Sequence, residues 1–390
     1  MSNLPPYFMW FPNSYRWSSA LLNIISTAPF GGADISEVYQ IRRRLEESDR
    51  EDDLAWFNAC NEVAKKVENN ANSFLDNDFK GPAAAMFLRA SHYYQMAERF
   101  RTPKDEKAMK SFTMGISCFH KFIEFGSQKI EIVEVPYEGN SLPGYFVPAK
   151  ASSNKHKSPC VVFFDGLDIT KEIQYLRGGI SDLISRGISV LIVDGPGTGE
   201  SIRLRGQHLR YDYEVAGSAC IDWLDTRDDI DSERIGIVAI SLGGYYAPRC
   251  ASMDDRFAAC IAWGAIWDYH ETWKKRIEKG FETSLSVPGH HINWILGVNS
   301  LDEALDKLEK FRLDGIVQRM KCPFLIVHGA DDEQVPLKDA ERLFSASGSK
   351  DKVLRVFDSE EGGAQHCQRD YLTLGVYTMW NWFEEKLIRN

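Results

Sequence analysis

The sequence predicts an α/β protein with a mostly parallel sheet and helices on both faces, and two observations support this fold class. From about residue 129 onward, runs of strand length alternate with segments in which apolar residues recur at helical spacing. Most of these runs are apolar almost throughout, which is typical of parallel strands buried on both faces. Alternating β and α segments predict a parallel sheet, because the chain must cross over the sheet between successive parallel strands.

Each strand is assigned from its composition. An antiparallel hairpin comes first, with QKIEIVEVPYE and LPGYFVPAK on either side of the turn Glu138–Ser141. Six further strands follow: PCVVFFDG, SVLIVDG, RIGIVAI, FAACIAWGA, PFLIVHGA and KVLRVFDS. Segments such as EIQYLRGGISDLISRG and EVAGSACIDWLDTR supply the helices between them.

Two regions depart from this alternation. Residues 15 to about 127 have few glycines and no β alternation, and segments such as GPAAAMFLRASHYYQMAERF predict several α-helices. The connection from 267 to about 320 is too long for a simple crossover and predicts a helical lid inserted above the strand ends. We therefore predict a helical N-terminal domain, 1–128, and an α/β domain, 129–390, that carries the lid.

Composition excludes several classes of partner. The net charge of −10 argues against nucleic acid, whose phosphates require a surplus of lysine and arginine. The stretch MSNLPPYFMWFPNSYRW lacks the basic and apolar regions of a signal peptide, and Pro12 and Asn13 interrupt it well short of a membrane span. The eight cysteines are scattered without a C-x-x-C pair, which indicates free thiols in a reducing compartment. These features predict a cytoplasmic protein that binds neither membrane nor nucleic acid.

Ser241 stands where the strand RIGIVAI ends and the helical pattern LGGYYAPRCASM begins. A serine at such a turn, with a small residue two positions to either side, is typical of a nucleophile elbow. Gly243 fills the second small position, and Ala239 stands in the first, where glycine is usual. The helix N-terminus would favour negative charge at this point. The alternative interpretation is that Ser241 only caps the helix.

A serine hydroxyl becomes a nucleophile only with a base and an acid, and in this architecture the acid precedes the histidine. Asp332 follows the strand PFLIVHGA at the spacing G-x-x-D-x-x-V-P, and the adjacent Asp331 is the alternative acid. His366 lies in the loop GGAQHCQRD after the next strand. His328, at a strand end, is expected to form hydrogen bonds that support the loop carrying Asp332, which we call the acid loop. The sequence therefore predicts a triad of Ser241, Asp332 and His366.

Two backbone N–H groups are expected to form an oxyanion hole beside this serine. One belongs to Leu242, the residue after the nucleophile. The other belongs to Leu167, because Gly166 allows the chain to turn directly after the strand that ends FFDG.

Two other stretches resemble binding sites but lack the residues that such sites require. VDGPGTGES is rich in glycine but lacks the G-K-[ST] of a phosphate loop, so we interpret it as a structural turn. The adjacent His290 and His291 have no carboxylates at ligand spacing, and we expect them to be solvated rather than to bind metal. The sequence predicts neither a metal nor a cofactor.

These residues resemble the α/β-hydrolase superfamily. The helical N-terminal half, FFDGLDITKE, VDGPGTGES and the lid opening IWDYHETWKKR are similar to one subgroup, over nearly the whole chain. That subgroup includes fungal pigment-pathway hydrolases that shorten aromatic polyketides and the bacterial 2,6-dihydroxypseudooxynicotine hydrolase. The resemblance implies an α/β-hydrolase fold, a role in fungal secondary metabolism, and cleavage of carbon–carbon bonds in 1,3-dicarbonyl or acyl-arene compounds.

The resemblance also implies a cofactor-free homodimer with an acidic residue near the site. Glu271 is one candidate for that acid, and Asp168 and Asp268 compete with it. Tyr269, in the aromatic stretch IWDYHETW, is a candidate to line the substrate pocket, although ordinary core packing also explains an aromatic residue there. The rival hypotheses are a carboxylesterase or peptidase with the same triad, and a hydrolase fold that binds without catalysis.

Overall fold

The computed structural model describes residues 10–11, 14–49, 52–150, 157–278 and 287–389. Most of the N-terminal stretch considered above for targeting, 1–9 with 12–13, lies outside the described residues. The chain forms two compact units. The first holds the described residues up to Lys129 together with 287–289, and the second holds the remaining described residues.

The first unit is helical, as its periodicity predicts. Its described α-helices are α1 (Tyr15–Ile25), α2 (Ile35–Arg44), α3 (Asp53–Asp76), α4 (Lys80–Phe100) and α5 (Glu106–Phe125), and a 3-10 turn spans Ala28–Phe30. An aspartate directly before each of α2, α3 and α5 accepts hydrogen bonds from backbone N–H groups of the first turn, which explains where these helices begin. Trp56 is fully buried against Trp17 and Phe100 at the centre of this unit.

The second unit is built on a sheet of eight described strands. They are β1 (Glu131–Tyr137), β2 (Asn140–Val147), β3 (Ser158–Phe164), β4 (Ser189–Val193), β5 (Ile230–Leu242), β6 (Phe257–Ala265), β7 (Phe324–Gly329) and β8 (Lys352–Phe357). Their order in space is β1-β2-β4-β3-β5-β6-β7-β8. β2 is antiparallel to β1 and β4, and all later pairings are parallel. The strands and the fold class predicted from the sequence are confirmed.

Helices occupy the connections between the strands and the stretch that follows β8. They are α6 (Lys171–Arg177), α7 (Ile180–Ser185), α8 (Gly199–Arg203), α9 (Glu214–Asp225), α10 (Gly243–Met253), α11 (Tyr269–Glu278), α12 (His291–Leu296), α13 (Leu301–Leu308), α14 (Leu337–Ala346) and α15 (Leu372–Glu384). The helices α11 to α13 and a 3-10 turn at Val317–Arg319 form the predicted insertion between β6 and β7, of which 279–286 lies outside the described residues. Across the described ranges, no helix is both long and apolar enough to cross a membrane.

The register of the parallel strands determines where the site forms. Phe164 at the end of β3 pairs with Ala239 of β5, which in turn pairs with Ala262 of β6. Because the carboxyl ends of neighbouring parallel strands meet at one edge of the sheet, the loops that follow them converge there.

A buried charge cluster joins the start of α6 to the glycine-rich turn after β4. The side chain of Lys171 is only 1% exposed, and its Nζ lies 2.8 Å from Glu172 Oε1 and 3.1 Å from Asp194 Oδ2. Nζ also contacts the Glu200 carboxylate and lies 4.9 Å from the centroid of the Tyr145 ring. Burial alone would lower the pKa of Lys171, but the surrounding carboxylates hold that pKa well above its usual value.

The same cluster accounts for the stretch VDGPGTGES. Asp194 accepts hydrogen bonds from the backbone N–H groups of Lys171, at 2.8 Å, and Glu200, at 2.9 Å. Gly199 has a φ of +46°, and a Cβ at this position would lie 1.9 Å from Asp194 Oδ2. Only glycine fits there, so the stretch is a structural turn, as predicted.

Candidate active site

Ser241 lies at the sharp turn between β5 and α10 with a φ of +61°, in the left-handed region that L-residues rarely adopt. Such a backbone costs about 1–2 kcal/mol and persists at sites where the surrounding fold enforces it. The neighbours must be small: a Cβ on Gly243 would lie 2.5 Å from the Ala239 Cβ, and one on Gly244 would lie 1.9 Å from the Gly264 carbonyl oxygen. The turn therefore has the geometry of a nucleophile elbow.

The structure brings the three predicted triad residues together. Ser241 Oγ lies 2.8 Å from His366 Nε2, and His366 Nδ1 lies 2.6 Å from Asp332 Oδ2. His366 and Asp332 are both buried, and Ser241 is partly exposed. The serine hydroxyl can therefore pass its proton to an imidazole that a carboxylate orients from the other side.

The acid loop is fixed by its own backbone and by a second histidine. Asp332 Oδ1 accepts hydrogen bonds from the N–H groups of Gln334, at 2.8 Å, and Val335, at 2.9 Å. The Ala265 N–H donates to His328 Nδ1 at 3.2 Å, so His328 carries its proton on Nε2 and donates it to the Val335 carbonyl at 3.0 Å. The predicted support of the acid loop by His328 is confirmed.

The two adjacent aspartates of this loop lie in different environments. Asp332 is buried against His366, whereas Asp331 is exposed, and its backbone N–H donates to the Ala364 carbonyl at 3.0 Å. The loop therefore turns Asp332, and not Asp331, toward the histidine.

The electrostatics hold both titratable groups in the state that nucleophilic catalysis requires. Burial alone would raise the pKa of Asp332, but the charge of His366 and its hydrogen bond outweigh this and place the pKa at about 2. Burial lowers the pKa of His366 below its usual 6.5, against the opposing effect of Asp332. At neutral pH the carboxylate is therefore ionised and the imidazole is neutral.

The loop after His366 has a strained backbone and is held in place by side-chain hydrogen bonds. Cys367 and Gln368 both have positive φ, 53° and 47°. The buried Gln368 accepts a hydrogen bond from Trp263 Nε1 at 2.7 Å and donates one to the Gly363 carbonyl at 3.3 Å. These contacts hold the histidine over the elbow. Trp263 and Gln368 could not be paired from the sequence, because neither has a local signal that points to the other.

The end of β3 lies directly against the elbow. A Cβ on Gly166 would lie 2.8 Å from the Leu242 nitrogen and 3.0 Å from the Ser241 Cβ. Leu167 follows this close approach, so the two predicted oxyanion donors belong to segments that touch beside Ser241. The carbonyl of Leu167 accepts a hydrogen bond from His291 Nε2 of the lid at 3.3 Å.

His291 corrects one expectation from the sequence. Adjacent lid histidines were expected to be solvated, but His291 is only 4% exposed. It is buried because it is the first residue of α12 and lies against the loop of Leu167. Its imidazole also makes a T-shaped contact with the Trp294 ring.

The structure does not bring Glu271 to the triad. The Glu271 side chain is 52% exposed, and its Oε2 lies 3.5 Å from Lys275 Nζ and 3.8 Å from Arg342 Nη1. Asp268 caps α11, since its Oδ1 accepts from the Glu271 N–H at 3.0 Å. Both carboxylates therefore have local structural partners.

Tyr269 and Asp168 interact electrostatically with each other. Tyr269 is buried at the start of α11, and burial is the main reason that the pKa of its hydroxyl is raised. Arg276 opposes this rise, and Asp168 of the loop after β3 adds to it. The hydroxyl of Tyr269 therefore interacts with Arg276 of α11 and with Asp168 of the loop after β3.

Arg276 contacts the loop that carries Asp332, and its sequence context does not predict this. Its Nη2–H donates to the Gln334 carbonyl of the acid loop at 2.8 Å. Its guanidinium carbon lies 5.3 Å from the ring centroid of Trp273 and 5.9 Å from that of Tyr269. In WKKRIEKG three adjacent basic residues look alike, and only the helix orientation distinguishes the inward one. Within the ranges that the structure describes, no cluster of His, Cys, Asp or Glu side chains is arranged to hold a metal.

The chain is similar to several known proteins over almost its whole length. The hydrolase LUC6 of Fusarium sp is 29% identical over 416 aligned residues, which cover 96% of this chain and 97% of the relative. The 20-hydroxy-prefusarin hydrolase FUS2 of Gibberella moniliformis is 27% identical over 401 residues, covering 93% of this chain and 94% of its own. Among solved structures, the 2,6-dihydroxy-pseudo-oxynicotine hydrolase superposes with a TM-score of 0.77 at 24% identity, covering 94% of this chain and 96% of that one.

These likenesses confirm the α/β-hydrolase fold and the resemblance to fungal hydrolases that the motifs predict. The sequence profile of the prolyl oligopeptidase family matches residues 171–388, which is more than half of the chain and includes the elbow, the acid loop and the histidine loop. The chain is therefore a hydrolase of the α/β fold and belongs to the prolyl oligopeptidase family.

Proposed function

We propose that this protein cleaves a carbon–carbon bond next to a ketone, in a polyketide-like 1,3-dicarbonyl or acyl-arene substrate, through an acyl-Ser241 intermediate. The observation that carries the proposal is the hydrogen-bonded chain from Ser241 Oγ through His366 to Asp332, 2.8 Å and 2.6 Å long at its two links. The carbon leaving group is supported by the motif resemblance and by the likeness to hydrolases named for 20-hydroxy-prefusarin and 2,6-dihydroxy-pseudo-oxynicotine.

Acylation begins when Ser241 Oγ attacks the ketone carbon and His366 Nε2 takes the hydroxyl proton. The carbonyl π pair moves to the oxygen, and the N–H groups of Leu167 and Leu242 bind this oxyanion. When the carbonyl re-forms, the carbon–carbon bond breaks and its electron pair leaves with the departing carbon. His366 then returns its proton to that carbon, directly or through water.

Deacylation repeats these steps with water. His366 takes a proton from water as the oxygen attacks the acyl carbon, and Ser241 Oγ leaves with that proton. One water is consumed, and the products are a carboxylic acid and the protonated carbon fragment. A carbanion from a second substrate in place of water would give condensation at the same acyl group.

Only a delocalised carbanion is a viable leaving group, so the substrate needs a second carbonyl or an electron-rich arene beside the scissile bond. The competing function is hydrolysis of esters by the same triad, and the match to the prolyl oligopeptidase family supports this function equally well. A panel of 1,3-diketones, acyl-arenes and p-nitrophenyl esters separates the two. Efficient hydrolysis of simple esters, with the diketones and acyl-arenes left intact, contradicts carbon–carbon cleavage.

The intermediate is tested by trapping it in a His366→Ala variant, which we expect to acylate slowly and to deacylate more slowly still. The intact mass should rise by that of the acyl fragment, and the modified peptide should contain Ser241. An acyl group on any other peptide would show that Ser241 is not the nucleophile.

We further propose that the protein acts as a cofactor-free homodimer in the cytoplasm. All eight cysteines are free thiols, and all except Cys322 are buried, which suits a reducing compartment. The dimer follows from the resemblance, and light scattering of the purified protein tests it.

The Asp332→Asn variant should lose about 10⁴-fold in kcat, because an amide holds the wrong tautomer of His366. Asp331→Asn is the matched control, one residue away and exposed, and it should keep nearly wild-type activity. Steady-state kinetics of both variants decide the assignment. A severe loss in Asp331→Asn with a mild one in Asp332→Asn would mean that the acid is wrong by one position.

The pH dependence should follow the depressed pKa of His366. Below that pKa the imidazole is protonated and cannot accept the serine proton, so kcat/KM should fall on the acid side at an apparent pKa below 6.5. Because Asp332 raises the pKa of His366, Asp332→Asn should move this limb to still lower pH. A wild-type acid limb at or above 6.5 contradicts the prediction.

A further inference from the structure

The loop after β3, 165–170, which we call the oxyanion loop, lies directly against the nucleophile. A Cβ on its Gly166 would lie 3.0 Å from the Ser241 Cβ and 2.8 Å from the Leu242 nitrogen. The next residue is Leu167. Among the described residues, no backbone acceptor binds the Leu167 N–H, which suits a group that is to bind the oxyanion of a substrate.

His291, the first residue of the lid helix α12, binds the oxyanion loop. Its Nε2 lies 3.3 Å from the Leu167 carbonyl oxygen. Because a carbonyl oxygen can only accept, Nε2 carries a proton and donates it. The His291 side chain is 4% exposed, so this hydrogen bond is shielded from competing water.

The other end of α12 is fixed independently of this contact. The Leu209 N–H donates to the Ile295 carbonyl at 2.8 Å, and Lys307 Nζ donates to the Leu296 carbonyl at 2.8 Å. Ile295 and Leu296 are themselves buried, each 1% exposed. His291 therefore belongs to a helix that other parts of the chain hold in place, and it can act on the oxyanion loop as a fixed support.

We propose that His291 is a positioning residue that holds the Leu167 peptide with its N–H directed at the oxyanion on the carbon bound to Ser241, so that the lid completes the oxyanion hole. This inference rests on the proposed function, because it requires acyl transfer at Ser241. A hydrogen bond to the Leu167 carbonyl restrains the backbone rotations of the same residue, and these rotations set the direction of its N–H. His291 acts on the oxyanion only through Leu167.

The first test compares variants of the two adjacent lid histidines on a substrate that the wild type cleaves. His291→Phe keeps an aromatic ring beside Trp294 but removes the donor. Its kcat should fall by about 10–10²-fold with KM little changed, which is less than the loss expected when an oxyanion donor is removed outright. His291→Gln should recover most of the loss, because its amide N–H can replace Nε2–H. His290→Phe is the matched control, since His290 is exposed, and it should keep the wild-type kcat.

The second test measures the oxyanion hole without a leaving group. Ser241 Oγ adds to the carbonyl carbon of a trifluoromethyl ketone, its proton passes to His366, and the carbonyl π pair becomes the oxyanion of a hemiketal. The inhibition constant of this ketone should rise in His291→Phe by a factor similar to the fall in kcat. The matching secondary alcohol cannot accept Ser241 Oγ, so its inhibition constant should not change.

A wild-type kcat in His291→Phe, or an equal loss in His291→Phe and His291→Gln, would overturn the proposal. A change confined to KM, or equal weakening of the ketone and the alcohol, would assign His291 to packing or substrate binding instead. If His291→Phe does not fold, His291→Leu removes the donor with less bulk and gives the same comparison. If Ser241→Ala binds the trifluoromethyl ketone as tightly as the wild type does, the proposed acyl-serine chemistry and this inference both fail. If the wild type cleaves only esters, carbon–carbon cleavage fails, and the ester kinetics of His291→Phe still decide this inference.

Discussion

A Ser241→Ala variant should fold normally and lose roughly 10⁶-fold in kcat, as serine hydrolases do when the nucleophile is removed. The loss is this large because Ser241 Oγ is the atom that forms the acyl bond, and His366, 2.8 Å away, then has no proton to accept. Activity on any cleaved substrate, and fluorophosphonate labelling followed by intact mass, measure the effect.

The matched control is Ser252→Ala in α10, the helix that follows Ser241. Ser252 is buried, and its Oγ donates to the Pro248 carbonyl at 2.6 Å and has no part in the triad. This variant should keep nearly wild-type activity. A folded Ser241→Ala protein that still turns over substrate at the wild-type rate would rule out Ser241 as the nucleophile.

The largest effect on stability is expected for Lys171→Met. Removing the one ammonium of the buried cluster leaves Glu172 and Asp194, each 1% exposed, without their counter-charge. Breaking a buried ion pair from one side in this way costs about 3–5 kcal/mol, because the remaining charges stay desolvated. Urea denaturation followed by circular dichroism measures the change in the free energy of unfolding.

Lys321→Met supplies the comparison for this prediction. Lys321 also pairs with a carboxylate, that of Asp255, but the two side chains are 74% and 59% exposed. Exposed pairs contribute about 0–1 kcal/mol, so this variant should unfold almost as the wild type does. If the two variants unfold at the same urea concentration, the buried cluster does not stabilise the fold.

Much of the fold and the centre of the site could be predicted from local patterns. Near-continuous apolar runs marked most of the parallel strands, because a strand buried on both faces carries few polar residues. Ser241, Asp332 and His366 each follow a strand within a short stretch that has its own spacing, and parallel strands deliver such stretches to one edge of the sheet. The structure brings these three together at hydrogen-bond distance, and their catalytic role stays a prediction for the variants above.

The contacts that hold and extend the site could not be predicted in the same way. His291 binds the Leu167 carbonyl across 124 positions of the chain, and Trp263 binds Gln368 across 105. No periodicity or spacing connects residues so far apart, because such contacts depend on how helices and loops pack.

The sequence by itself determined the order of strands and helices, the elbow at Ser241 and the stretches that hold the acid and the base, because each depends on residues close together in the chain. Tertiary structure decided which of two adjacent aspartates meets His366, that Glu271 lies at the surface, and that Arg276 faces inward without a carboxylate partner among the described residues. The physical reason is that a side chain's direction, burial and charge partners are set by the packing of the element that carries it, and identical neighbours in sequence then receive different environments.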